Sequence, residues 1–174
     1  MKTIRRIAGK SVLFACIAAL LLAACSSNNA ANDAEGQTSD AGAAAGDAQF
    51  PIKIQHAFGE TVIPSKPERI VTISWANHDV VLALGVVPVG FSAANYGVQD
   101  DSGLLPWTKQ KLEELGVTEP NVFQDTDGLD FEAISDADPD VILAAYSGIT
   151  QEEYDTLSQI APVVAYPDQP WVIS

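Results

Sequence analysis

The stretch from Glu68 to Gly90 constrains this chain most, because it reads as strand, turn, helix and strand in close succession. Arg69-Ile70-Val71-Thr72-Ile73 is β-branched and apolar, as a strand covered on both faces requires. Ser74 is placed to cap the helix that follows. Val80, Val81, Leu82 and Leu84 supply an apolar helical face, and Gly85 stands where a helix C-terminus takes a residue with positive φ. Pro88-Val89-Gly90-Phe91 begins the next strand. A right-handed crossover makes the two strands parallel, and in such sheets small ligands bind beyond the carboxyl ends of the strands. Those ends carry Ser74-Trp75-Ala76-Asn77 and Ser92-Ala93-Ala94-Asn95-Tyr96, two aromatics and two amides predicted to share one rim.

The same alternation continues. Before the central unit, Phe50 to Pro64 alternates as two short strands joined at Gly59, and Ser65-Lys66-Pro67 breaks the chain. After it, Pro106-Trp107 opens a helix that Gly116 stops. Asn121-Val122-Phe123 is a short strand, Phe131-Glu132-Ala133-Ile134 a short helix, and Val141 to Ala145 a second fully apolar strand leading into Tyr146-Ser147-Gly148. Thr150-Gln151-Glu152-Glu153 is a capping box. It starts a helix with Tyr154, Leu157 and Ile160 on its inner stripe, and Pro162 to Tyr166 is the last strand. The class is α/β with a largely parallel, Rossmann-like sheet, built as one domain over residues 49–174.

Residues 1–24 have the form of a secretion signal: a basic start at Lys2, Arg5, Arg6 and Lys10, then an apolar run too short to span a bilayer. Leu22-Ala23-Ala24-Cys25 resembles the bacterial lipobox, which implies cleavage before Cys25 and lipidation of that residue. A plain signal peptide or an uncleaved anchor is the alternative. Residues 25–48 contain no large apolar side chain and read as a flexible tether. With Cys16 lost and Cys25 lipidated, the folded part holds no thiol, disulfide or cysteine metal site. A diacyl anchor suffices for stable attachment to the outer face of the cell membrane.

Maturation at that site leaves five bases (Lys53, Lys66, Arg69, Lys109, Lys111) against 23 acids. Such a surface repels nucleic acid and disfavours anionic ligands that no arginine meets. Solubility outside the cell is the plainer account of the charge. Nothing points to catalysis: the folded part has no cysteine nucleophile, no Gly-x-Ser-x-Gly elbow and no phosphate-binding glycine loop. His56 and His78 stand on separate elements and make no metal site with converging carboxylates; His78 is expected at the surface. Asp125, Asp127 and Asp130 lack calcium-loop spacing and read as turn and capping residues.

The motif Ile63-Pro64-x-x-Pro67-x-Arg69-Ile70-Val71, with Ala83-Leu84-Gly85-Val86-x-Pro88-Val89-Gly90, resembles the N-terminal lobe of ferric-siderophore and cobalamin substrate-binding proteins of ABC importers. Asp130-Phe131-Glu132-Ala133-Ile134, Pro139-Asp140-Val141-Ile142 and Ile160-Ala161-Pro162-Val163 fit the same pattern. The resemblance implies a two-lobed class III fold with ligand held between the lobes. Only the first lobe is expected in this chain, which with its apolar Trp171-Val172-Ile173 reads as a fragment or truncated product. It further implies a monomeric lipoprotein that captures a ferric siderophore, with iron kept inside the chelate and no cofactor, and passes it to an ABC permease. Haem or cobalamin binding is the alternative within the family. An interaction lipoprotein without a solute ligand, or a hydrolase, is the alternative outside it.

Within that frame Trp75, Asn77, Tyr96, Tyr146, Ser147 and Trp171 are the candidate ligand contacts, each following a strand. Trp107 is a weaker one. Packing of these aromatics onto the sheet is the competing reading for all of them. The family docks on its permease through an acidic residue of each lobe, and Gly128-Leu129-Asp130-Phe131-Glu132 carries that role to Glu132; a solvated helix carboxylate is the plainer possibility. The few bases favour a neutral or cationic chelate of hydroxamate type over a polyanionic catecholate.

Overall fold

The computed structural model describes residues 48–125 and 127–172. The signal-like segment, Cys25 and residues 26–47 of the tether lie outside the described residues. The alternating stretch near the start forms an antiparallel hairpin, β1 (Ile52–His56) and β2 (Gly59–Ile63), with Gly59 at φ 125° in its turn. From there strands and helices alternate: β3 (Ile70–Thr72), α1 (Asn77–Ala83), β4 (Gly90–Ser92), α2 (Pro106–Glu114), β5 (Val122–Phe123), α3 (Phe131–Asp136), β6 (Val141–Ala144), α4 (Gln151–Leu157) and β7 (Val163–Ala165).

The last five strands form one parallel sheet in the order β5-β4-β3-β6-β7. The chain therefore steps outward twice from β3, then crosses to the other side of β3 and steps outward again. With right-handed crossovers, this order puts α1 and α2 on one face and α3 and α4 on the other. The packing agrees. Leu82 of α1 and Leu112 of α2 bury against Phe91, while Ile134 of α3 and Leu157 of α4 bury against Val71, Ile142 and Val163. Each such side chain, fully withdrawn from water, contributes about 1.5–3 kcal/mol. The hairpin covers β6 and β7 with Ile63 against Val141 and Val164, and wraps the sheet edge where the Ala57 N–H donates to the Tyr166 carbonyl at 2.9 Å. Adjacent strands β3 and β6 begin connections in opposite directions, so the crevice at their carboxyl ends is the topological switch point.

Local rules placed most helix ends. Asp130 caps α3 by accepting from the Ala133 N–H, and both hydrogen bonds of the Thr150–Glu153 capping box form. Gly85 closes α1 at φ 79°. The start of α1 departs from expectation. Ser74 does not cap it; the N-cap is Ala76 in the left-handed region (φ 63°), with no side-chain hydrogen bond, and Ser74 is itself left-handed (φ 65°). A helix beginning at Asn77 turns His78, Val81 and Leu82 inward and leaves Val80 and Leu84 exposed at 62% and 76%. His78 is thus not a surface residue: it is buried, stacked on Phe91 at 4.9 Å and parallel to Trp107 at 6.3 Å.

The amino ends of the strands are tied by charge. The Arg69 guanidinium donates to the carbonyls of Ala137 and Asp138, both at 2.5 Å, and Asp140 accepts from the N–H groups of Glu68 and Arg69. The chain's one arginine beyond the signal-like segment is therefore engaged at the edge opposite the carboxyl ends.

Candidate functional site

At the carboxyl edge of the sheet lies a cleft of about 290 Å³, open to solvent on one side. The strand ends and the loops after them build it: Ser74 and Trp75 after β3, Ser92 at the end of β4 with Ala93 and Asn95 after it, Asp125 after β5, Gly148 and Ile149 after β6, and Trp171 beyond β7. Leu129 and Glu153 complete the wall. The volume falls just below the range of pockets that enclose a small ligand.

The predicted contacts divide. Trp75 and Trp171 line the cleft. Trp171, half exposed and left-handed (φ 62°), is held by its N–H donating to the Ser147 carbonyl at 3.0 Å and by an edge-on contact with Tyr146 at 5.3 Å. Its indole lies over Gly148, where an added Cβ would stand 2.6 Å from Nε1. Tyr146 does not line the cleft but an apolar groove shared with Val80, Val81 and Leu143. Tyr96 projects into solvent, 81% exposed, on the loop beside the cleft. Trp107 stands on the far side of α1, against His78.

Asn77 and Ser147 are not rim groups but buried fasteners. The Asn77 amide donates to the carbonyls of Ile73 (2.7 Å) and Tyr146 (2.8 Å) and accepts from the Tyr146 N–H at 3.0 Å. It ties the loop after β3 to the loop after β6, where the chain leaves the switch point. The Ser147 hydroxyl is fully buried and donates to the Ala144 carbonyl at 2.7 Å. Both residues position the cleft loops. Neither lines the cleft.

Glu132 is exposed in the first turn of α3, three residues beyond the cleft residue Leu129. Helices in this fold begin at the carboxyl edge, so the carboxylate stands on the cleft side of the molecule.

Sequence reading missed the polar wall. The Ser74 N–H donates to Ser92 Oγ at 2.8 Å, and the Ser92 hydroxyl donates in turn to Asp125 Oδ2. Asp125 was expected as a turn residue. Its carbonyl does accept the Gly128 N–H, but its side chain enters the cleft. Burial pushes its carboxyl above the ordinary range, the Ser92 hydroxyl draws it partly back, and the Asp130 charge adds to the rise. Its only signal in the sequence was its place just after a strand. Neither a lysine nor an arginine lines the cleft, whereas Asp125 and Glu153 do. Among the described residues no group of three or more His, Cys, Asp or Glu could hold a metal ion.

A parallel sheet with a cleft at its switch point defines an α/β solute-binding lobe, and residues 70–174 match the family described as Periplasmic binding protein. The chain belongs to that family, and its fold is the parallel-sheet lobe of class III periplasmic binding proteins. It is similar to Streptococcus pneumoniae TIGR4 PiaA, whose structure was determined in complex with ferrichrome: 64% identity and a TM-score of 0.67, over 69% of this chain and 39% of that one. It is 33% identical to the ferric enterobactin-binding periplasmic protein FepB of Escherichia coli over 71% of this chain. It is 31% identical to the probable siderophore-binding lipoprotein YfiY of Bacillus subtilis over 88% of this chain. The chain spans about two fifths of the length of these curated relatives, 40% of FepB and 42% of YfiY.

Proposed function

We propose that this chain is the ligand-capturing lobe of an extracytoplasmic lipoprotein that binds a ferric siderophore and hands it to an ABC permease. The observation that carries the reading is the pair of indoles, Trp75 and Trp171, flanking one cleft at the switch point of the sheet. Flat aromatic faces suit a bulky chelate with apolar edges, because they bury area at little cost in side-chain entropy. Iron travels inside the chelate as cargo. Binding and release are the whole of the chemistry, and no bond is made or broken. Cys25 anchors the protein to the membrane, residues 26–48 hold the lobe away from it, Tyr96 closes on the bound solute, and Glu132 engages a basic pocket of the permease. The ligand is a neutral hydroxamate chelate, a reading supported by the cleft's acidic lining and by the likeness to ferrichrome-bound PiaA.

The test is a titration of tryptophan emission. The full-length protein, with whatever its reading frame carries beyond Ser174, is titrated with a neutral ferric trihydroxamate and with an anionic ferric triscatecholate. Saturable quenching by the hydroxamate is expected. Tighter binding of the catecholate overturns the ligand class, and no binding of either overturns the reading as a whole. Glu132→Ala is expected to leave this titration unchanged while iron uptake by cells falls; normal uptake removes the docking role.

A further inference from the structure

The half-buried carboxylate of Asp125 is more than the local structure needs. Its structural task is to accept the Ser92 hydroxyl, which is itself oriented by the Ser74 N–H, so that the loops after β3, β4 and β5 are pinned in a row. A neutral asparagine of the same size accepts that hydrogen bond equally well. The charge brings only a desolvation cost, seen in the raised carboxyl range. No described cation relieves it. Arg69 is held at the opposite edge, Lys53 pairs with Glu60, Lys109 with Asp100 and Lys111 with Glu114, and Lys66, exposed on the stretch before β3, does not line the cleft. What the carboxylate does face is the cleft, which it shares with Glu153 and with no base.

Resting on the proposed function, we infer that Asp125 is a specificity-determining residue that excludes negatively charged ferric chelates and admits neutral or cationic ones. A charge in a partly desolvated wall acts on an entering ion with less screening than one in bulk water. Repulsion scales with the ligand's charge, so a trianionic catecholate chelate is rejected while a neutral hydroxamate chelate is indifferent to it. Selectivity thus comes from an unfavourable contact with the wrong ligand as much as from fit to the right one.

The test compares affinities of the full-length protein for the two chelates before and after Asp125→Asn, by tryptophan quenching in low salt. The ratio of affinities is expected to move toward the catecholate by about tenfold or more. The shift is expected to shrink in high salt. Asp125→Ala, which also removes the Ser92 hydrogen bond, must move the ratio the same way. A shift in the alanine variant alone assigns the effect to packing and overturns the inference, as does a ratio constant within about threefold in both variants. Failure of the wild-type protein to bind either chelate is a different result, and removes the transport reading itself.

Discussion

Asn77→Ala should unfasten the site from below. The wild-type amide satisfies the carbonyls of Ile73 and Tyr146 and the N–H of Tyr146, with distances of 2.7, 2.8 and 3.0 Å. Alanine leaves all three backbone groups without that partner at a position only 7% exposed. A buried group left unsatisfied costs about 1–3 kcal/mol. Tyr146 is only half-buried, so water can reach part of the vacancy, and the sum should settle near 3–4 kcal/mol. Against a total stability of about 5–15 kcal/mol this is a large fraction. With a urea slope of about 1.5–2 kcal/mol/M for a domain of this size, the midpoint should fall by about 2 M. Asn77→Asp is the sharper probe. It keeps the acceptor for the Tyr146 N–H but places a carboxylate oxygen against two carbonyl oxygens, and should cost at least as much. Urea unfolding followed by far-UV circular dichroism checks both. A loss below about 1 kcal/mol in either variant refutes the fastening role and returns Asn77 to the list of ligand contacts.

Two further perturbations follow from the same geometry. Gly148→Ala places a Cβ 2.6 Å from Trp171 Nε1 and 2.9 Å from Cε2, so the indole must leave its bed. Tryptophan emission should shift to the red and chelate affinity should fall about tenfold, in the range of a lost aromatic anchor; unchanged emission shows that Trp171 does not rest there. His56 is buried in the hairpin, with Nδ1 accepting from the Phe58 N–H at 3.2 Å and Nε2–H donating to Thr61 Oγ1 at 2.9 Å. Burial holds its pKa below the ordinary 6.5. The fold disfavours the charged ring, so its contribution is complete above about pH 6.5 and is lost as pH falls from there toward the folded-state pKa. Urea midpoints should drop between about pH 7.5 and 5.5 in the wild type and drop less in His56→Gln; equal drops refute the assignment.

What the sequence disclosed was what short-range chemistry decides. Apolar β-branched runs marked β3, β6 and β7, and the alternation of strand and helix marked the shorter β4 and β5 between them. The Thr150–Glu153 pair gave the start of α4, because both of its hydrogen bonds lie within one turn. The hidden parts depend on residues far apart in the chain. The inward face of α1 could not be chosen while its first residue was unknown, since Val80, Val81, Leu82 and Leu84 leave the helix phase open; only the left-handed Ala76 sets it. Asn77 looked like a free amide because its partners on Tyr146 lie 69 positions away. Asp125 looked like a turn because Ser92 lies 33 positions before it. Asn77 was expected at the rim and Asp125 in a turn; in each case the orientation of the side chain was fixed by a loop that no local window contains.

The distribution of backbone strain follows the same line. Among the described residues, the non-glycine positions with positive φ are Ser74, Ala76, Asp138 and Trp171. Two of them bracket Trp75 and one is the second indole of the cleft. Each left-handed residue costs about 1–2 kcal/mol relative to an ordinary conformation, and persists only where the surroundings over-determine it. They do so here: Ser92 holds the Ser74 N–H, Asn77 fixes the turn behind Ala76, and the Ser147 carbonyl holds the Trp171 N–H. The glycines that would relieve the strain would also free the loops to move. Stability is therefore surrendered at the residues that aim the two indoles, and on the proposed function less ordering is left to be done when a ligand arrives.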